Sequence, residues 1–202
     1  MWTKELGLGG VTGGEFGSES YFEGHVYSNK FTPPVIINGR LYYNDPDPPR
    51  HGFYCVHLRT GEQLFYSDSS SDRTRIGQFW SHDGIGGISC GQILNFDVIN
   101  EHGTHAYLWN LGSPKYNMYD PFTGEVIASF DNVPPIAMYN IFGTTAVNFD
   151  EKGNLLVYSL DGVNNWLCMW NSTLAMNPTG NYDWLRHGEL YPATYDWSRG
   201  LQ

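Results

Sequence analysis

Residues 35–44 read Val-Ile-Ile-Asn-Gly-Arg-Leu-Tyr-Tyr-Asn, and this short stretch decides the fold class. A β-branched run leads into Asn38-Gly39, a dipeptide that two-residue hairpin turns favour because both residues tolerate a positive φ. An aromatic run then follows in the return direction. The stretch therefore predicts a β-hairpin, from which the neighbouring strands and turns can be assigned.

The strand-and-turn pattern continues after this hairpin. Two further apolar and aromatic runs at residues 53–58 and 63–67 are separated by Arg59-Thr60-Gly61-Glu62, which is typical of a turn. Together with the hairpin, they predict a four-stranded antiparallel meander over residues 34–68.

The same order of strands and turns recurs downstream. Strands are predicted at 93–99, 105–111, 116–119 and 126–130, with turns at 100–104 and 123–125. Gly61 and Gly124 are 124 − 61 = 63 residues apart, and Gly39 and Gly103 are 103 − 39 = 64 residues apart. Two landmarks with nearly one offset predict an internal repeat, with a second unit at 92–130.

A looser third unit is predicted over residues 144–170, with strands at 144–149, 155–160 and 165–170. The flanks at 1–31 and 174–202 are expected to be irregular, apart from a short strand at Met1–Leu6 and a helical turn at Leu174–Met176. Tandem four-stranded meanders are the signature of a β-propeller. We therefore expect an all-β, propeller-like domain of about three blades over residues 1–202, with a β-sandwich as the alternative.

Composition agrees with this fold class. Of the 202 residues, 16% are charged and 16% are aromatic, and the chain has 24 Gly and 11 Pro. Soluble proteins average about 25% charged residues, and helical bundles are rich in Lys, Glu and Ala. The composition therefore argues against a helical bundle, and the aromatic content argues against a disordered chain.

The charge of the chain excludes several partners. The formal net charge is −10 and no basic block occurs, whereas nucleic acids and anionic membranes both bind clusters of Lys and Arg. No apolar run reaches about 18 residues, so no membrane insertion is predicted. The remaining partners are proteins and glycans.

Two segments resemble the pyrroloquinoline-quinone-type propeller repeat of the quinoprotein-like superfamily. Residues 54–62 and 116–125 each place a hydrophobic strand before a Thr-Gly-Glu turn, and residues 33–42 resemble the opening hairpin of that unit. The resemblance implies radial four-stranded blades. It also implies that Asp120 caps its turn, that His57 stands where the family has Asp, and that Trp2 docks as a terminal tryptophan.

The tryptophan that the family places three residues after the Glu is replaced here by Phe65 and Ala128. Enzymes of the family are quinone-dependent dehydrogenases that need a calcium-bound cofactor pocket and a catalytic Asp, and no local motif for these occurs. The resemblance therefore implies architecture more than chemistry.

Other site patterns are sparse. Cys55, Cys90 and Cys168 form no Cys-x-x-Cys pair, so a zinc site is not expected. Asp45/Asp47 lacks the spacing of a calcium loop and is predicted to lie in a surface loop. His102/His105 would need a third metal ligand, with Glu101 adjacent, and strand alternation puts the two imidazoles on opposite faces, so they are predicted to be exposed turn residues. No nucleophile elbow is present, and Cys90 has no basic neighbour in sequence to activate it. No catalytic residue, metal or cofactor is predicted.

Aromatic residues are the most abundant binding groups. Period-2 placement puts Tyr107 and Trp109 in the core, whereas Trp184 and Trp197 in the C-terminal flank are predicted to lie on a ligand-binding surface. Asn171-Ser172-Thr173 is an N-glycosylation sequon, which indicates an extracellular or cell-surface setting.

These features predict a non-catalytic propeller scaffold for protein interaction or assembly, as part of a larger or oligomeric exported protein. Three units leave open blade edges, which favours self-association. The alternatives are a carbohydrate-binding module that uses exposed aromatics and a fragment of a quinone-dependent dehydrogenase.

Overall fold

The computed structural model describes a set of segments that carry nearly all of the predicted strands. They are residues 1–4, 34–45, 52–68, 87–98, 101–111, 115–131, 133, 146–161, 166–176 and 193–196. The chain forms two compact units, Met1–Cys90 and Gly91–Gln202. That residues 1–202 close as one propeller-like domain stays a prediction.

The first unit holds a four-stranded antiparallel meander, which confirms the first predicted unit. Its strands are adjacent in chain order: β1 (Val35–Ile37), β2 (Arg40–Asn44), β3 (Phe53–His57) and β4 (Gln63–Ser67). The turn between β1 and β2 has φ of 49° at Asn38 and 73° at Gly39. Both residues therefore adopt the left-handed region that this hairpin requires.

The turn between β3 and β4 is held by backbone and side-chain hydrogen bonds. The His57 N–H donates to the Glu62 carbonyl, and the Gly61 N–H donates to the His57 carbonyl, each over 2.8 Å. The Thr60 N–H donates to Nδ1 of His57 over 3.3 Å. His57 thus accepts a turn N–H as a capping Asp would.

The N-terminal residues dock on this turn. Nε1 of Trp2 donates to the Leu58 carbonyl over 2.9 Å. A Cβ atom at Gly61 would lie 2.5 Å from Cδ2 and Cε3 of the same indole, so only glycine leaves room for the ring. Residues 1–4 carry no strand, and the predicted strand at Met1–Leu6 is wrong over these residues, since this side-chain docking takes the place of strand pairing.

A second meander follows, again with its strands adjacent in chain order: β5 (Cys90–Val98), β6 (Glu101–Asn110), β7 (Tyr116–Tyr119) and β8 (Val126–Asp131). The turn between β7 and β8 repeats the hydrogen bonds of the first meander. The Asp120 N–H donates to the Glu125 carbonyl over 2.9 Å, and the Gly124 N–H donates to the Asp120 carbonyl over 2.8 Å. Oδ1 of Asp120 accepts the N–H groups of Phe122 and Thr123, as a capping Asp should.

Two boundaries in this meander differ from the prediction. Gly103 lies inside β6 rather than in a turn, so it is not the counterpart of Gly39. A Cβ atom at Gly103 would meet nothing within 4 Å, so this glycine sits in a strand without steric need. The strand β5 begins at Cys90, three residues before the predicted start at residue 93.

The third sheet has the order β11-β10-β9, with β9 at Ala146–Phe149, β10 at Leu155–Asp161 and β11 at Trp166–Asn171. The short helix α1 (Ser172–Met176) follows directly and overlaps the predicted helical turn. Among the described residues, no helix is long or apolar enough to span a membrane. The described part of the chain is therefore all-β apart from α1.

The C-terminal flank is not irregular throughout. Residues Ala193–Asp196 form β12, which pairs in parallel with β8 and extends the second meander to five strands. The prediction of an irregular 174–202 is wrong for these residues. Parallel pairing joins segments distant in sequence, and no local turn motif marks it.

The core of the second unit is an aromatic cluster between its two sheets. The Trp170 ring from β11 lies 5.9 Å from Trp109, 5.2 Å from Tyr116 and 5.6 Å from Phe130, all in edge-to-face geometry. All four side chains are fully buried. The two sheets therefore pack face to face through aromatic contacts.

Candidate functional site

The two faces of the first sheet differ in burial. Tyr42, Phe53 and Cys55 point to one face and are fully buried. The opposite face is defined by six apolar or aromatic side chains, which we call the tyrosine face: Ile36, Leu41, Tyr43, Tyr54, Leu64 and Tyr66. All six are half-buried or exposed, whereas Val56, which pairs with Leu41 on the same face, is fully buried. A sheet face with large apolar side chains and partial exposure is a candidate interaction surface.

Three tyrosines cross the centre of the tyrosine face as a ladder. The rings of Tyr43 and Tyr54 are stacked 5.2 Å apart, and those of Tyr54 and Tyr66 lie 4.7 Å apart at 50°. Nζ of Lys4 lies 5.4 Å from the Tyr54 centroid and donates to Oε1 of Gln63 over 3.1 Å. Ring contacts between neighbouring strands and the contact with Lys4 of the N-terminal segment therefore hold the three tyrosines in place.

The hydroxyls of Tyr43 and Tyr66 are neutral donors. Burial raises the pKa of Tyr66, and the adjacent Asp45 carboxylate raises it further by its charge and its hydrogen bond. Burial, then Tyr54 and Asp45, raise the pKa of Tyr43. The Tyr43 hydroxyl is buried without a hydrogen-bond partner among the described residues. These groups favour hydrogen bonding to a partner over acid–base chemistry.

Two aliphatic side chains at the rim of the tyrosine face are the most exposed. Ile36 on the edge strand β1 is 58% exposed, and Leu64 on the opposite edge strand β4 is 41% exposed. Both edges of the sheet therefore present apolar area to solvent on the same side as the tyrosines.

The third sheet also has one buried and one open face. Leu155, Val157 and Trp170 share a face and are fully buried. Its opposite face carries Leu156, Tyr158, Leu167 and Met169, which we call the leucine face. Leu167 is 68% exposed and the other three are half-buried.

The sheet of β5–β8 and β12 is the counterpart of the first by its turn and by its bulge, which falls at Met118/Tyr119 here and at Cys55/Val56 there. The strands before these two turns also agree in burial. Tyr119 and Val56 are both fully buried, and Asn117 and Tyr54 are both half-buried.

The predicted site residues have separate positions. Trp184 and Trp197 lie outside the described residues. Asn171 ends β11, and its Oδ1 accepts the N–H groups of Thr173 over 2.9 Å and Leu174 over 3.2 Å, so it caps α1. Ser172 of the sequon is fully buried. Glycosylation of Asn171 stays a prediction.

A buried polar cluster surrounds Gln92, and it was not predicted from the sequence. Nε2 of Gln92 donates to the Gly153 carbonyl over 2.7 Å and to Oγ of Ser172 over 3.3 Å. Its Oε1 accepts Nε1 of Trp109 over 2.7 Å. The cluster joins the two sheets of the second unit. In the sequence, Gln92 is a single polar residue beside apolar strand residues. This pattern does not indicate which groups its amide binds.

Two thiols and one imidazole among the candidate chemical groups have described side chains. Burial raises the pKa of the Cys90 thiol to about 12 and that of Cys55 above its ordinary value, so both thiols stay protonated. His105 stacks on Tyr107, with ring centroids 6.5 Å apart. Within the described segments, no three His, Cys, Asp or Glu side chains lie close enough to hold a metal ion. The tyrosine and leucine faces are therefore the candidate sites.

Comparison with known proteins adds no assignment: no protein-family model matches the chain, and no curated protein matches it. The functional case therefore depends on the geometry of the tyrosine and leucine faces. Both faces contain side chains suited to packing against protein.

Proposed function

We propose that the chain is a non-catalytic assembly module of the β-propeller type, which binds protein through its tyrosine and leucine faces. The observation that carries this proposal is the exposure of large apolar side chains on one face of each of two sheets. Ile36 is 58% and Leu64 is 41% exposed on the tyrosine face, and Leu167 is 68% exposed on the leucine face. In a propeller, each blade is covered by a blade on either side, so an open face is a place for a neighbour.

The blade assignment is supported by details that recur at one offset. The bulges, the turn hydrogen bonds and the left-handed glycines Gly61 and Gly124 all fall 63 residues apart. The docking of Trp2 on the first turn is a further feature of the type that the resemblance implies. A two-sheet sandwich accounts for the aromatic core of the second unit, but it does not account for this recurrence.

The chemistry of the open faces supports a protein partner. Tyrosine combines a large apolar ring with a hydroxyl, and interface cores are enriched in aromatics and methionine and depleted in charge. The tyrosine face contributes three tyrosines and the leucine face contributes Tyr158 and Met169. The carbohydrate-binding alternative depends on Trp184 and Trp197, and the exported setting depends on the sequon at Asn171; both stay predictions.

Site-specific photo-cross-linking tests the proposed function. A photoreactive phenylalanine analogue replaces Leu64 on the tyrosine face or Leu167 on the leucine face, and the protein is irradiated in the expressing cell. The matched control is Phe122, which is 51% exposed in the turn after β7 and lies on neither face.

We expect protein adducts of defined mass from Leu64 and Leu167 and none from Phe122. An absence of adducts from both faces, or equal adducts from Phe122, would contradict a protein-binding role. The mass of the adduct also identifies whether the partner is the same chain or another protein.

A further inference from the structure

We infer that the partner of the tyrosine face is a basic protein segment, whose lysine or arginine side chain lies on the tyrosine ladder beside the Asp45 carboxylate. This inference rests on the proposed function and names the chemistry of the partner. Three features of the face support it: a lysine of the chain itself contacts the ladder, two carboxylates lie at the Tyr66 end of the ladder, and an exposed leucine borders that end.

The site is confined to the ladder and does not extend over the whole tyrosine face. Val56 is fully buried, and its cross-strand partner Gln63 accepts a hydrogen bond from Nζ of Lys4. The rings of Tyr54 and Tyr66 are half-buried, so part of each remains accessible. The partner is therefore placed towards the start of β3 and the end of β4, away from Val56.

The contact between Lys4 and Tyr54 shows which chemistry the ladder accepts. Nζ of Lys4 lies 5.4 Å from the centroid of the Tyr54 ring, within the range of a cation–π interaction. The lysine belongs to the N-terminal segment and not to the sheet itself. Since the ladder attracts a cation from outside the sheet, a cation of a partner can bind to it in the same manner.

Two carboxylates make the Tyr66 end of the ladder attractive to cations. The Tyr66 hydroxyl donates to the Asp45 carboxylate, and the charge of Asp68 acts on the same hydroxyl. The backbone supports this geometry, because the Asp45 N–H donates to the Gly52 carbonyl over 2.9 Å and a Cβ atom at Gly52 would collide with the Tyr66 hydroxyl. Asp68 is exposed and Asp45 is half-buried. Charge complementarity therefore favours a basic partner.

An exposed aliphatic side chain borders the same ring. Leu64 precedes Tyr66 by two residues on β4 and is 41% exposed. Lysine and arginine carry aliphatic stems that pack on apolar surface while the charged group reaches a polar environment. A basic side chain can thus cover Leu64 and the Tyr66 ring with its stem and place its charge beside Asp45. An acidic side chain would be repelled by the same carboxylate.

Binding of a defined peptide tests the inference. The probe is a fluorescently labelled Gly-Ser-Arg-Leu-Arg-Leu-Arg-Ser-Gly peptide with blocked termini, and its matched control has glutamine in place of each arginine. Fluorescence anisotropy with the full chain measures both dissociation constants at 0.15 M ionic strength, where a screening length of about 8 Å weakens attraction by distant charges. We expect the arginine peptide to bind about tenfold more tightly or better.

Matched variants locate the binding site. Asp45→Asn combined with Asp68→Asn removes both carboxylates of the site, and Glu125→Gln combined with Glu151→Gln removes two exposed carboxylates of the second unit. We expect the first pair to weaken binding about fivefold or more and the second by less than about twofold. Circular dichroism checks folding, and Asp68→Asn alone, at an exposed position, gives the same test with about half the logarithmic effect.

Lys4→Gln tests whether the partner's cation competes with the lysine on the ladder. Removal of the competing ammonium should tighten binding of the arginine peptide by about twofold or more. Lys152→Gln makes the same change of net charge at an exposed position of the second unit and should have a clearly smaller effect. A photoreactive phenylalanine analogue at Leu64 should also cross-link to the arginine peptide, and one at Leu167 should not.

Several results would overturn the inference. Equal binding of the arginine and glutamine peptides, while Leu64 still cross-links to protein in the cell, would refute the basic partner but keep the proposed function. Equal weakening by the two carboxylate pairs would show that only the net charge attracts the peptide. Equal effects of Lys4→Gln and Lys152→Gln would show that the cation does not lie on the ladder.

Discussion

The side-chain amide of Gln92 links the two sheets of the second unit by hydrogen bonds. Its amide satisfies the buried Trp109 N–H, the Gly153 carbonyl and part of Ser172, whose Oγ also accepts the Leu155 N–H over 3.1 Å. A buried polar group that loses its partner costs about 1–3 kcal/mol. The amide therefore stabilises both sheets through the buried Trp109 and Ser172 and the half-buried Gly153.

Replacing this amide tests that role. Gln92→Met keeps the length of the side chain but leaves Trp109 and Gly153 unsatisfied, and we expect the free energy of unfolding to fall by about 2–4 kcal/mol. Urea denaturation measures the change. The control Gln63→Met alters an exposed glutamine and should stay within about 0.5 kcal/mol. Equal small losses from both variants would show that the cluster is not structural.

Substitutions at three glycines distinguish the cost of backbone strain from the cost of a collision with a neighbouring side chain. Gly39 and Gly61 both have φ of 73°, but only Gly61 faces an indole, and Gly103 has neither constraint. We expect Gly103→Ala to be nearly neutral and Gly39→Ala to cost about 1–2 kcal/mol of stability. Gly61→Ala should cost about 1–3 kcal/mol more, because Trp2 must move.

A double-mutant cycle checks the cause of that extra cost. In a Trp2→Ala background, Gly61→Ala should cost no more than Gly39→Ala, since the indole is gone. If the extra cost persists without the indole, Trp2 is not what constrains the turn.

For single residues, the sequence predicts the backbone conformations that depend on the residue's own preferences. The left-handed residues Asn38, Gly39, Gly61 and Gly124 follow from their own conformational preferences and are confirmed. Gln92 could not be predicted, since its partners lie 17, 61 and 80 positions away in sequence.

Among the elements, the turn between β9 and β10 has a pH-sensitive anchor. Burial by itself raises the pKa of Asp150, but hydrogen bonds from the Asn154 side chain and from backbone N–H groups of Asn154, Lys152 and Gly153 outweigh it and lower the pKa. The folded state therefore favours the ionised carboxylate. Its stabilising contribution is complete above the ordinary Asp pKa of about 3.9 and fades as the pH falls through that value and the lower folded-state pKa.

Asp150→Asn removes this titration. We expect the variant to be less stable than the parent at pH 6, with the gap in urea midpoint narrowing towards pH 3. Glu151→Gln, which neutralises the neighbouring exposed carboxylate, controls for the change of charge. A gap that stays constant or widens in acid would contradict the assigned role.

Element prediction succeeded where turns are marked by residue type. The strand Gln63–Ser67 was predicted with its bounds, and the Thr-Gly-Glu turns lie where expected. Gly103 was wrongly assigned to a turn. Glycine marks a turn only where a positive φ is required, and Gly103 is an ordinary residue of β6. The strand β12 was missed because its partner β8 lies about 65 positions earlier in the chain.

For the whole molecule, the all-β class followed from periodicity and composition, but the open faces did not. Alternation indicates which side chains share a face, not which face another sheet covers. Tyr54 and Tyr119, for example, both belong to strands rich in aromatics, yet one is half-buried and the other fully buried. The aromatic surface was therefore predicted at Trp184 and Trp197, whereas the described candidate surface is formed by tyrosines and leucines.

The most direct test of the account is photo-cross-linking from the tyrosine and leucine faces in the expressing cell. The proposed protein-binding role predicts protein adducts of defined mass from Leu64 and Leu167, the exposed apolar positions of the two faces, and none from Phe122. An absence of adducts from both faces, or equal adducts from Phe122, would contradict it.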